Sequence, residues 1–252
     1  MKRTAKTIVK GVAIALLAPI LLLTGGFFYL NQPLPTGTKS AQADSLANRL
    51  LVAVHQQAWQ RTSLVQWTFD KSHHYLWDKK RNLLAVNWKG VRVLLNLKNW
   101  QKGKAFLENR EQTGNQLDKL RGKAWAFFCN DSYWLIAPTK VFDEGVERRL
   151  VKQADGSQAL LVTFRSGGVT PGDSYLWLMD NHGLPTKFKM WVSVLPIGGL
   201  EASWQDWVEL KTGALVPTKH RIGPLELSIS DVKAGDSYQD LGFSTDPFLS
   251  VE

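Results

Sequence analysis

Hydrophobic positions along this chain fall into three successive patterns. Residues 11–30 form an uncharged run of twenty. At about 1.5 Å rise per residue, such a run crosses the roughly 30 Å hydrocarbon core of a bilayer as one helix. Residues 31–43 carry Pro, Gly, Ser and Thr and read as a linker. Leu46, Leu50, Val54 and Ala58 then recur at helical spacing with Leu51 beside them. They predict an amphipathic helix over 45–60, capped by Asp44 or Ser45.

Beyond residue 60 the period falls to two. Val65, Trp67 and Phe69 alternate with Gln66 and Thr68. Tyr75-Leu76-Trp77 leads into the polar turn 78–82, Leu84, Val86 and Trp88 lead to Gly90, and Val91, Val93, Leu95 and Leu97 follow. These predict four strands in meander order. Leu117, Leu120, Ala124, Trp125 and Phe128 restore helical spacing over 115–128, and Tyr133 to Ala137 reads as a strand broken by Pro138. Seven further strands are expected at 146–153, 158–165, 173–180, 184–194, 200–209, 214–222 and 225–233. Asp155-Gly156, Gly167-Gly168, Asn181-His182-Gly183, Gly198-Gly199, Thr212-Gly213 and Gly223-Pro224 punctuate them. Phe188, Met190 and Val192 oppose Lys187, Lys189 and Ser193, so one sheet face is apolar and the other wet. The expected fold is α+β and mainly β: an N-terminal transmembrane helix, then a curved antiparallel half-barrel sheet of about eleven strands with an amphipathic helix and a helical insertion.

Charge orients this arrangement. Lys2, Arg3, Lys6 and Lys10 precede the apolar run, leaving 27 basic against 22 acidic residues downstream. The basic flank 1–10 is expected in the cytoplasm, 11–30 as a single-pass anchor in the cytoplasmic membrane, and 44–252 as an extracytoplasmic domain. The alternative is a signal sequence cleaved after Ala43, but the apolar run exceeds the usual signal length of about 7–15 residues. The single cysteine, Cys129, allows neither an intramolecular disulfide nor a thiolate zinc cluster. No Lys/Arg block stands out, and export argues against a nucleic-acid partner.

From residue 44 to about 235, the order of a leading helix, four strands, a helical insertion and a long meander resembles the bacterial lipoprotein-carrier superfamily, the LolA/LolB-like proteins and their periplasmic relatives. Tyr175-Leu176-Trp177-Leu178-Met179-Asp180 followed by Gly183-Leu184-Pro185-Thr186-Lys187 resembles the strand–turn–strand of those proteins. The resemblance implies a curved sheet whose hydrophobic concavity takes acyl chains or lipidated partners. This chain departs from it in two respects: it carries an anchor where soluble carriers lose their signal peptide, and it lacks the lipidated cysteine of the acceptor type. A tethered binding or handover protein is therefore expected rather than a shuttle.

Candidate chemistry is sparse. Gly172-Asp173-Ser174-Tyr175, echoed at Gly235-Asp236-Ser237-Tyr238, resembles the start of the GDSL-type serine hydrolases. It opens a strand rather than a helix and lacks the later Asp-x-x-His, and a nucleophilic serine needs a base within reach. His73 and His74 would point to opposite faces of a strand, so no metal is expected, and no cofactor either. Neither Gly167-Gly168 nor Gly198-Gly199 matches a phosphate loop. Eleven tryptophans are available to a large core with satisfied indole N–H groups, or to a cavity wall. The expectation is a non-catalytic domain binding a lipid, acyl chain or lipidated partner at Trp67, Leu95, Phe164, Phe188, Met190 and Trp204. The alternatives are a hydrolase using Ser174 and a structural envelope protein with a fully packed core.

Overall fold

Strand pairing carries the alternation of the sequence into two open antiparallel sheets. The structure, a computed structural model, describes residues 31–167 and 170–251. The first four strands are β1 (Leu64–Phe69), β2 (His73–Asp78), β3 (Leu83–Trp88) and β4 (Val91–Asn96), followed by β5 (Asn99–Leu107) and β6 (Arg110–Glu111). After a helical insertion come β7 (Val146–Lys152), β8 (Gln158–Phe164), β9 (Ser174–Met179), β10 (Pro185–Trp191), β11 (Leu200–Ser203), β12 (Gln205–Glu209), β13 (Leu215–Ile222) and β14 (Leu225–Gly235). One sheet runs β12-β13-β14-β1-β2-β3-β4-β5-β6, the other β11-β10-β9-β8-β7. Only Trp204 separates β11 from β12, so the chain passes between sheets within one residue. Its N–H donates to Thr186 O at 2.7 Å in β10, and the Arg221 N–H of β13 donates to Ser203 Oγ at 2.9 Å.

The mainly β expectation holds, with fourteen strands among the described residues where about eleven were expected. β5 escaped because Asn-Trp-Gln-Lys-Gly-Lys carries no apolar alternation. It pairs along β4 nonetheless, with Gly103 so close that a Cβ there would meet Leu94 O.

The helices differ in their bounds. The leading helix α1 covers Ala41–Ala53 and is capped by Ser40, whose Oγ accepts from Ala43 N–H. It stops short of residue 60 because His55 takes a left-handed conformation, φ 53°, and its Nδ1–H donates to Gly213 O at 2.9 Å. A short helix α2 follows at Gln56–Arg61. The insertion helix α3 runs Gly114–Ile136, so Tyr133 to Ile136 form its last turn rather than a strand. Packing of Trp134 and Leu135 into the core overrides the β preference of that aromatic stretch. Pro138 falls in the 3₁₀ turn Ala137–Lys140 beyond it.

α3 lies against the inner face of both sheets. Phe128 meets Trp67, Tyr75 and Trp77, while Trp134 meets Phe188, Trp204 and His220. Four buried indole N–H groups, on Trp67, Trp77, Trp177 and Trp204, have no acceptor, against the expectation of satisfied indoles. Edge-to-face contacts such as Trp177–Phe188 and Trp177–Trp204 set ring edges against π faces, a weaker substitute.

The outer faces are not simply wet. β3 is buried at four successive positions, Leu83 to Val86. Residues 236–251 cross beneath it, placing Leu241 and Phe248 against Leu64, Leu76, Leu83 and Leu94. Arg81, Asp78, Tyr238 and Asp246 lock that segment with hydrogen bonds of 2.5–3.0 Å. Residues 31–39, the linker by composition, are fastened too. Gln32 N–H donates to Gly198 O, and Thr38 pairs with Leu150 of β7. Among the described residues no helix is long and apolar enough to cross a membrane, and the expected anchor at 11–30 lies outside them.

Candidate ligand cavity

The inner face of the smaller sheet and the C-terminal half of α3 do not meet everywhere. Between them is a cavity of about 590 Å³. Alternation brings Phe164 of β8, Tyr175 of β9 and Met190 of β10 to one wall, and helical spacing brings Trp125, Phe128, Cys129 and Tyr133 to the other. Tyr133, Phe164 and Tyr175 form a triad with centroids 4.7–5.9 Å apart. Burial pushes the Tyr133 and Tyr175 phenols above their ordinary range, so both stay neutral. Burial likewise pushes the Cys129 thiol up to about 11. Such a thiol is protonated at neutral pH and behaves as apolar wall rather than nucleophile.

The mouth is formed by loops. Residues 192–199 contribute Val192, Val194 and Leu195, and the β13–β14 hairpin contributes Ile222 and Leu225. Asp173 fixes this arrangement: its buried carboxylate accepts from Thr170 Oγ1 at 2.6 Å and from Ser193 N–H at 2.9 Å, tying the loop before β9 to the loop after β10. Val194, Leu195 and Leu225 are 72%, 38% and 53% exposed, and they are three of the nine large apolar side chains exposed among the described residues. The polar mouth residues Lys140 and Asp143 pair at 2.7 Å.

Of the six residues singled out by alternation, Phe164 and Met190 line this cavity. Trp67, Leu95, Phe188 and Trp204 also face inward but lie in the packed core, each no more than 2% exposed. Alternation identifies a face, and whether anything packs on that face is decided by where α3 lies. Tyr133 and Cys129 were missed as wall residues because the segment around Tyr133 read as a strand. Val194 and Leu195 carried a usable signal: exposed positions in a Pro- and Gly-bearing loop held by large apolar residues.

Ser174 lies elsewhere. It neighbours Tyr175 in β9 and so points to the opposite face of the sheet, where its hydroxyl bonds Thr163 Oγ1 at 2.9 Å. His73 and His74 do point apart: His74 Nδ1 meets Thr68 Oγ1 at 3.0 Å, whereas His73 turns inward. There the His73 Nδ1–H and the Tyr75 hydroxyl donate to buried Asp131 of α3 at 2.7 and 2.5 Å. This contact fastens α3 to β2 at Asp131, within the stretch from Trp125 to Trp134 that lines the cavity.

The arrangement can enclose an apolar group of moderate size, with polar side chains such as Asn130, Ser132, Glu144 and Ser166 interspersed in a mainly apolar lining. No family model matches the chain, and no curated protein matches it. Among solved structures it is similar to a DUF1329 family protein from Desulfovibrio piger. The two are 10% identical, with a TM-score of 0.38, over 77% of this chain and 95% of that one. So loose a likeness assigns neither a family nor an activity.

Proposed function

We propose that this protein is a non-enzymatic, membrane-tethered binding protein of the lipoprotein-carrier type, whose cavity takes an acyl chain or the acyl part of a lipidated partner. Residues 11–30 hold it in the cytoplasmic membrane, and the β-rich domain stands on the extracytoplasmic side. The observation that carries the reading is the cavity itself. Its volume falls within the roughly 300–1,000 Å³ of small-molecule sites, and its wall is mostly aromatic and aliphatic. Burying an acyl chain there gains about 0.8 kcal/mol per methylene, enough for useful affinity without specific polar contacts.

Filling the cavity tests this. Val192 is half-buried at the mouth, and Val192→Trp places an indole across the entrance. The full chain should bind a fluorescent long-chain fatty acid saturably, and Val192→Trp should abolish that binding with the melting temperature little changed. A parent protein that binds no such probe would leave a packed structural domain as the better account.

A further inference from the structure

The loop that frames the cavity mouth also holds the start of the described chain. Gln32 N–H donates to Gly198 O at 2.9 Å, Gly198 N–H donates to Asn31 Oδ1 at 2.8 Å, and Trp191 Nε1–H donates to Gln32 O at 2.7 Å. The contact is close enough to require glycine: a Cβ on Gly198 would lie 2.5 Å from Trp191 Cδ1 and 2.9 Å from Gln32 O. Gly199, at φ 80°, would set one 2.7 Å from Gln32 Cβ. The Gly198-Gly199 pair is thus a seat for residues 31 and 32. Leu195, on the cavity mouth, is three residues from that seat, at most about 11 Å of chain. Asn31 is in turn bonded directly to the last residue of the uncharged run 11–30.

We infer that the cavity opens onto the bilayer that holds residues 11–30, with Val194, Leu195 and Leu225 resting in its extracytoplasmic interface, so that an acyl ligand passes between membrane and cavity without crossing water. The inference rests on the binding reading above and adds where the ligand comes from. A rigid seat at Gly198 leaves little slack between the end of the apolar run and the mouth, unlike a free linker, which would let the domain tumble. Three of the nine exposed large apolar side chains among the described residues, Val194, Leu195 and Leu225, share this mouth, where an interface a few ångströms deep would cover them. The opposite end of the sheet is differently built. β10 spans seven residues, about 23 Å. At its far end the β9–β10 turn packs on α1, where Arg49 donates to Asn181 O at 3.1 Å. Val52, 77% exposed on α1 three residues beyond Arg49, therefore serves as a distant control.

Photocrosslinking of the full chain in phospholipid vesicles tests the inference. Benzoylphenylalanine is placed in turn at positions 194, 225 and 52, and adducts are read by mass spectrometry. Phospholipid adducts are expected at 194 and 225 and not at 52. Their absence at 194 and 225, or equal yield at 52, would overturn the inference, as would protein adducts replacing lipid adducts at 194 in native membranes. Binding of the fluorescent fatty acid is measured on the same preparations. Rim adducts without probe binding would sink the ligand reading alone, and probe binding without rim adducts would sink the bilayer contact alone.

Discussion

His220 shows how far one side chain can be committed to a dry core. It is fully buried between Trp134 and Trp204, with centroids 5.1 and 4.6 Å away, and Nδ1–H donates to Ser203 O at 3.0 Å. Burial pushes the His220 pKa down to about 4, against roughly 6.5 in the unfolded chain. Between those values the unfolded chain binds a proton that the folded chain excludes. The unfolding free energy therefore falls as pH drops from about 6.5 to about 4, by up to about 3 kcal/mol, and this term is flat above that window. Urea midpoints at about pH 5 and about pH 7 should differ in the parent, and the difference should shrink in His220→Phe. An identical pH dependence in both proteins would contradict this account. The neighbouring Trp204 was legible in the sequence as an inward-facing residue. Its place at the kink between β11 and β12, rather than on a cavity wall, was not, because that depends on pairings with Thr186 and β13 that are remote in sequence.

Among the elements, strands with strict alternation were readable to within a residue or two, as with β8, β9 and β13, whereas β10 ends at Trp191, three residues short of the expected 194. Elements shaped by what covers them were not. β5 is nearly polar throughout, and the last turn of α3 is aromatic yet helical. The segment 236–251 has little regular structure beyond the 3₁₀ turn Gln239–Leu241, yet it covers an apolar sheet face. The unalternating run Leu83-Leu84-Ala85-Val86 was its one sign in the sequence, since burial of successive residues requires cover on both faces. Phe248, fully buried there, anchors the segment. Phe248→Ala should cost about 3–5 kcal/mol in urea unfolding while leaving fatty-acid binding intact in the folded protein. A loss below about 1 kcal/mol would mean the segment adds little to the fold.

For the whole molecule, the sequence already distinguished a charged flank, an apolar run and a β-rich domain. It could not reveal that residues 31–39 are strapped along the smaller sheet, because Pro, Gly and Thr have the same composition in a docked strap as in a free linker. Nor could it locate the cavity, which lies between α3, held to β2 by Asp131, and the strands β8–β10. The central claim is that this space is occupied by an acyl ligand in the living cell. Native mass spectrometry of the full chain, extracted from the membranes of its own host, tests it most directly. The account predicts a mass increment of one acyl lipid on the parent protein and none on Val192→Trp. A parent protein of bare polypeptide mass, folded and equally unoccupied after incubation with acyl lipid, would contradict it.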